Sequence, residues 1–95
     1  MKMKAVLKIS TIKVLLYLFE KNKARYSELH EAIQSRSTLS LALRDLQDDQ
    51  LIERRVIDSR PVQTRYTLTD EGNKVAEHLS AVKLILSDHI TFNQL

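Results

Sequence analysis

Cysteine is absent from all 95 residues. A disulfide framework, a thiolate metal site and a cysteine redox switch are therefore excluded. Glycine and proline occur once each, as Gly72 and Pro61, so no glycine-rich phosphate loop can be built. Long apolar runs are missing too. The longest, Val14 to Phe19, is six residues, far short of the ~20 that span a bilayer. The basic N-terminus, "MKMKAVLKIS", lacks the long apolar core and small-residue cleavage site of a signal peptide. A cytoplasmic location is the default expectation, with no membrane partner.

The three histidines, His30, His78 and His89, make no i, i+3 or i, i+4 pair, so no metal site is expected. No Ser–His–Asp or paired-carboxylate spacing is present, no cofactor is called for, and an enzyme is not expected. Lysine is missing between Arg25 and Arg65, the interval that holds all seven arginines. An arginine fork fits phosphates and guanine edges, where lysine offers a point charge. Residues 1–25 carry net charge +6, residues 26–65 carry −1 and residues 66–95 carry −2. The total of +3 does not by itself establish nucleic-acid binding.

A chain of this length is expected to form one domain over residues 1–95, with a modest core that a second subunit would supplement. After a basic segment, residues 1–9, Ser10 or Thr11 can cap a first helix over 10–22. Its apolar positions are Ile12, Leu15, Leu16 and Phe19. A short extended piece follows at 24–26. Ser27 can cap a helix over 27–34, with Leu29, Ala32 and Ile33 on one face. Ser37 can cap a third helix over 38–50, with Leu39, Leu43, Leu46 and Gln50 in one stripe. The period then changes to two over "LIERRVI" and "VQTRYTL", which predicts a β-hairpin over 51–68. Val62, Thr64, Tyr66 and Leu68 should face one way, and Gln63, Arg65 and Thr67 the other. Thr69 can cap a last helix over 70–90. The three-residue connection between the second and third helices suits a helix-turn-helix, and a hairpin placed directly after it suits a wing. The fold expected is α+β and mostly helical: a winged helix-turn-helix with a long C-terminal dimerisation helix.

The segments "RYSELHEAI", "TLSLALRDLQDDQLIERRV" and "RPVQTRYTLTDEG" resemble the HxlR-type winged helix-turn-helix transcription regulators. They are more loosely similar to MarR-type and PadR-type proteins. The resemblance covers about residues 12–80. It implies a homodimer paired through its last helix and N-terminal segment. Three departures stand out. The N-terminal cysteine frequent in the family is missing, so cysteine sensing is not inherited. The turn before the third helix reads Gln34-Ser35-Arg36 where a glycine is common. Gln50 replaces the glycine usual at that helix's end.

In a helix-turn-helix the start of the second helix enters the major groove. With Leu39, Leu43 and Leu46 facing the core, the opposite side carries Thr38, Leu41, Arg44 or Asp45, and Asp48. Arg36, Ser37 and Ser40 flank the helix start. Arg44 can read guanine, and Leu41 can meet a thymine methyl or be an ordinary surface leucine. Asp45, Asp48 and Asp49 oppose DNA, unless only the first two turns enter the groove. On the hairpin, Arg55, Gln63 and Arg65 alternate outward, with Arg60 at the tip, where a wing meets the phosphate backbone or minor groove. Arg55 and Arg65 can instead pair with Glu53 or Asp58. Arg54, on the inner face, is expected in a structural ion pair. Lys2, Lys4 and Lys8 either touch backbone or only solvate the terminus.

The function expected is a homodimeric, sequence-specific regulator of double-stranded DNA, with any small-molecule effector undefined. A protein-interaction winged helix and a nonspecific architectural DNA coater are the alternatives. The dimer stripe expected is Val75, Leu79, Val82, Leu86 and Ile90. Its rival is a last helix that folds back on the first.

Overall fold

The computed structural model describes residues 8–89, with side chains to residue 87. The order is α1 (Ile9–Lys21), β1 (Lys23–Arg25), α2 (Tyr26–Ala32), α3 (Arg36–Asp48), β2 (Ile52–Ile57), β3 (Gln63–Leu68) and α4 (Asp70–His89). The strands form one antiparallel sheet in the order β1-β3-β2. This is a winged helix, the expected fold.

The core is built by one stripe from each helix. Leu39, Leu43 and Leu46 of α3 are buried, as their spacing requires. The α1 stripe differs from the expected one. Thr11, Val14, Leu15 and Leu18 are buried, whereas Ile12, Leu16 and Phe19 are half-buried. Position 18, not 16, completes the i, i+3, i+4, i+7 set that starts at Thr11. Leu29 of α2 and Ile33, its C-cap, are buried, but Ala32 is exposed. Ala24, Ile52 and Tyr66 close the core from the sheet. Each fully buried leucine contributes about 1.5–3 kcal/mol relative to exposure.

The starts of α1, α2 and α3 lie one or two residues before the expected ones, and α4 starts at Asp70 as expected. Lys8 is the N-cap of α1, and the buried Thr11 hydroxyl donates back to its carbonyl at 3.0 Å. Arg25 is the N-cap of α2. Its N–H donates to the Glu28 carboxylate at 2.9 Å, so Ser27 lies inside the first turn. Ser35, not Ser37, caps α3: its Oγ accepts the Thr38 N–H at 3.3 Å. A serine two residues upstream could reach that free donor equally well, and the chain uses it.

The two glycine departures are unequal. Ile33 and Ser35 in the turn before α3 are extended, so a glycine is not needed there. Gln50 has φ 61°, a left-handed conformation that favours glycine, and it is exposed rather than part of the α3 stripe. An L-residue there costs roughly 1–2 kcal/mol, partly offset because glycine adds about 0.4–1 kcal/mol of unfolded-chain freedom. Gln50→Gly should therefore raise stability by about 0.5–1 kcal/mol. The gain would appear as a higher urea midpoint at unchanged slope.

Thr69 does cap α4: its Oγ1 accepts the Gly72 N–H at 3.0 Å. The same hydroxyl donates to the Gln50 carbonyl at 2.7 Å, and the Thr69 N–H donates to the Leu51 carbonyl at 3.0 Å. The start of α4 is thereby tied to the turn between α3 and β2. Gly72 is buried against that turn, and a Cβ there would overlap the Leu51 carbonyl oxygen. From this anchor α4 runs 20 residues, about 30 Å. Ala76 and Leu79 pack on the core, while Val82, Leu84, Ile85 and Leu86 are exposed.

Candidate nucleic-acid interface

Arg36, Ser37, Thr38, Ser40, Leu41 and Arg44 of α3 are all exposed, with Thr38 on the edge where it lines a shallow cleft with Ile9, Ser10 and Lys13 of α1. The Ser40 hydroxyl lies 3.2 Å from the Tyr26 hydroxyl, and the Ser37 hydroxyl 3.2 Å from that of Ser35. Leu41 stands open at 48% exposure, with no core role. The carboxylates divide differently from expectation. Asp45 is not on the outer face with Arg44. It is buried, and Lys8 Nζ reaches its Oδ2 at 3.3 Å. Asp49 is buried as well, and only Asp48 of the three is exposed. Two of the three charges that opposed DNA therefore point inward. Lys8, in turn, holds α3 through this pair rather than merely solvating the terminus.

The hairpin register is Ile52↔Leu68, Glu53↔Thr67, Arg54↔Tyr66, Arg55↔Arg65, Val56↔Thr64 and Ile57↔Gln63. Opposed residues share a face, so Arg55, Gln63 and Arg65 stand together on the side opposite Tyr66. Arg60 is exposed in the loop between the strands, where its bond to Pro61 is cis. Arg55 lies 3.9 Å from Glu53, an exposed pair of little energetic weight. Arg65 makes no such pair among the described residues. The expected ion pair of Arg54 does not form among them either. Although Arg54 lies opposite the buried Tyr66, it is itself exposed, so no desolvated charge demands a partner. Val62 precedes β3 and is 63% exposed. It does not anchor the returning strand, and Tyr66 does.

α1 and α4 flank an apolar groove of about 410 Å³ lined chiefly by Ile12, Leu16, Leu79, Val82 and Leu86. Val75 is at the margin, 37% exposed. Ile90 lies outside the described residues. Leu79 packs back towards α1 and the core, while Val82 and Leu86 are about half exposed along the groove. No helix among the described residues is long and apolar enough to cross a membrane.

The profile of the HxlR-like helix-turn-helix proteins matches residues 10–93. The chain belongs to that family. As an HxlR-like protein it is a transcriptional regulator of the winged-helix type. Its fold is similar to that of a protein described as the transcriptional regulator ytfH of Salmonella typhimurium, at 23% identity. That alignment covers 88% of this chain and 76% of the other, with a TM-score of 0.76. A regulator described as of the MarR family from Porphyromonas gingivalis is similar too, at 23% identity, 93% and 87% coverage and a TM-score of 0.77. The redox regulator HypR in its oxidized form shares 22% identity, with 93% and 91% coverage and a TM-score of 0.76. No curated protein is similar enough in sequence to count as a relative.

Arg25 of β1 lies opposite Arg65 of β3, a proximity the sequence reading did not anticipate because it depends on pairing between distant strands.

Proposed function

We propose that this HxlR-like protein binds double-stranded DNA sequence-specifically as a homodimer, with α3 in the major groove and the hairpin on the backbone or minor groove. The observation that carries the reading is the sorting of charge on α3. Arg36, Ser37, Thr38, Ser40 and Arg44 face solvent together, while the carboxylates of Asp45 and Asp49 are buried. Arg44 has the reach and fork to read guanine, and Leu41 offers an apolar contact for a thymine methyl. Arg55, Arg60, Gln63 and Arg65 supply contacts that position the protein without reading sequence.

The exposed Val82 and Leu86 beside the α1–α4 groove support pairing of two chains. Pairing would set the two recognition helices one DNA turn apart, at ~34–36 Å, over a pseudo-palindrome.

Mutation separates the roles. Arg44→Ala should relax base preference at one position of a selected site, narrowing discrimination there by about 1–3 kcal/mol. Arg60→Ala and Arg65→Ala should weaken all duplexes alike and lower the salt slope by about 0.9 for each contact removed. Fluorescence anisotropy against selected and random duplexes measures both effects. Unchanged affinity and preference in all three variants would exclude this interface.

A further inference from the structure

We propose that Lys21, Lys23, Arg25 and Arg65 form a binding site for a phosphate group, set at the β1 edge of the sheet and apart from the exposed face of α3. The register creates it. Arg25 of β1 and Arg55 of β2 both pair with Arg65 of β3, so three arginines cross the outer face of the sheet in one row. Directly opposed side chains have Cβ atoms about 4.5–5.5 Å apart, and like charges so placed repel. Glu53 offsets Arg55 at 3.9 Å. Among the described residues, no carboxylate comes within ion-pair distance of the Arg25 or Arg65 guanidinium.

The chain places further positive charge at the same spot. Lys21, from the end of α1, and Lys23, at the start of β1, line with Arg25 and Arg65 a cavity of about 620 Å³. That falls within the ~300–1,000 Å³ range of small-ligand sites. Glu28 is the one carboxylate in its wall, and its Oε1 is occupied by the Arg25 N–H at 2.9 Å. Tyr17 adds a hydroxyl. Glu20 lies 4.0 Å from Lys21, an exposed pair of little energetic weight, so the excess of positive charge still favours an oxyanion. Two arginine forks favour one with several acceptor oxygens, as a phosphate has. That phosphate can come from a DNA backbone or from a small phosphorylated molecule. Only the first source rests on the DNA-binding reading.

The test uses the full chain and two titrations. In the first, inorganic phosphate is added at constant ionic strength, with chloride as the balancing anion. The amide resonances of Lys23, Arg25 and Arg65 and the guanidinium resonances of the two arginines are followed by NMR. Saturable shifts are expected, weakened roughly tenfold or more by Arg25→Gln and only partly restored by Arg25→Lys, which returns the charge but not the fork. Arg25 is exposed and its backbone N–H bond to Glu28 is kept in both variants, so an unfolding curve matching wild type is the control for folding. In the second, the log–log salt slope of DNA binding is compared between wild type and Arg25→Gln. A slope lowered by about 0.9 assigns the site to a backbone phosphate. Saturable phosphate binding with an unchanged slope, or with no DNA binding at all, assigns it to a small ligand. Absence of saturable shifts together with an unchanged or absent slope overturns the proposal.

Discussion

Gly72→Ala should lower stability by roughly 3 kcal/mol or more, a large share of the ~5–15 kcal/mol available to a domain. The added methyl would occupy the space of the Leu51 carbonyl oxygen and come within 2.8 Å of its carbon. These are backbone atoms, so no flexible side chain can swing aside. Relief requires the first turn of α4 to separate from the turn after α3. Separation would break the bonds from Thr69 to the Leu51 and Gln50 carbonyls, 3.0 and 2.7 Å long, each worth about 1 kcal/mol. Urea denaturation would register the loss as a lower midpoint. Thr69→Ala should show a smaller loss in the same direction, because it removes the hydroxyl's bonds and leaves the space intact. Wild-type stability in Gly72→Ala would mean that α4 does not approach Leu51 as described.

The second large effect concerns assembly. Replacing Val82 and Leu86 together by glutamate should give a folded monomer. Both side chains are about half exposed, at 51% and 47%, so the fold of one chain has little to lose. A pair of chains joined over these positions would bury four carboxylates in an apolar contact, at high cost. Linking two DNA-binding units raises affinity for a double site by about 10²–10⁴ through effective concentration alone. The variant should lose that factor on a two-half-site duplex while keeping wild-type affinity for a single half-site. Sedimentation velocity provides the independent measure. A variant that still sediments as a dimer would place the subunit contact elsewhere.

Much of the fold was legible because its period is local. Leu39, Leu43 and Leu46 repeat at helical spacing, and the hairpin strands alternate, so both elements and the buried Tyr66 could be read from neighbours in the chain. Helix starts were less legible. Ser27 and Ser37 are good capping residues that lie near the real caps, Arg25 and Ser35, and chemistry alone does not choose among adjacent serines. Asp45 was ambiguous because one residue changes helix direction by about 100°. Arg44 lies on the outer face, whereas Asp45, next in the chain, lies at the edge of the apolar stripe, where Lys8 reaches it. The role of Gly72 depends on Leu51, and the cluster of Lys23, Arg25 and Arg65 depends on pairing between β1 and β3. Such contacts join distant parts of the chain and leave no periodic trace. Gln50 could be flagged by resemblance, yet its positive φ became visible only in the backbone.

The central claim is that this HxlR-like protein reads duplex sequence through α3 and gains affinity from its hairpin arginines. The most direct test is a titration of the full chain against a duplex selected from a random pool and against an unselected one, each at two salt concentrations. The account predicts a steep negative log–log salt slope for both duplexes, near −0.9 per phosphate contacted, and at least about 10³-fold tighter binding to the selected duplex. Equal affinity for the two duplexes, or a slope close to zero, would contradict it.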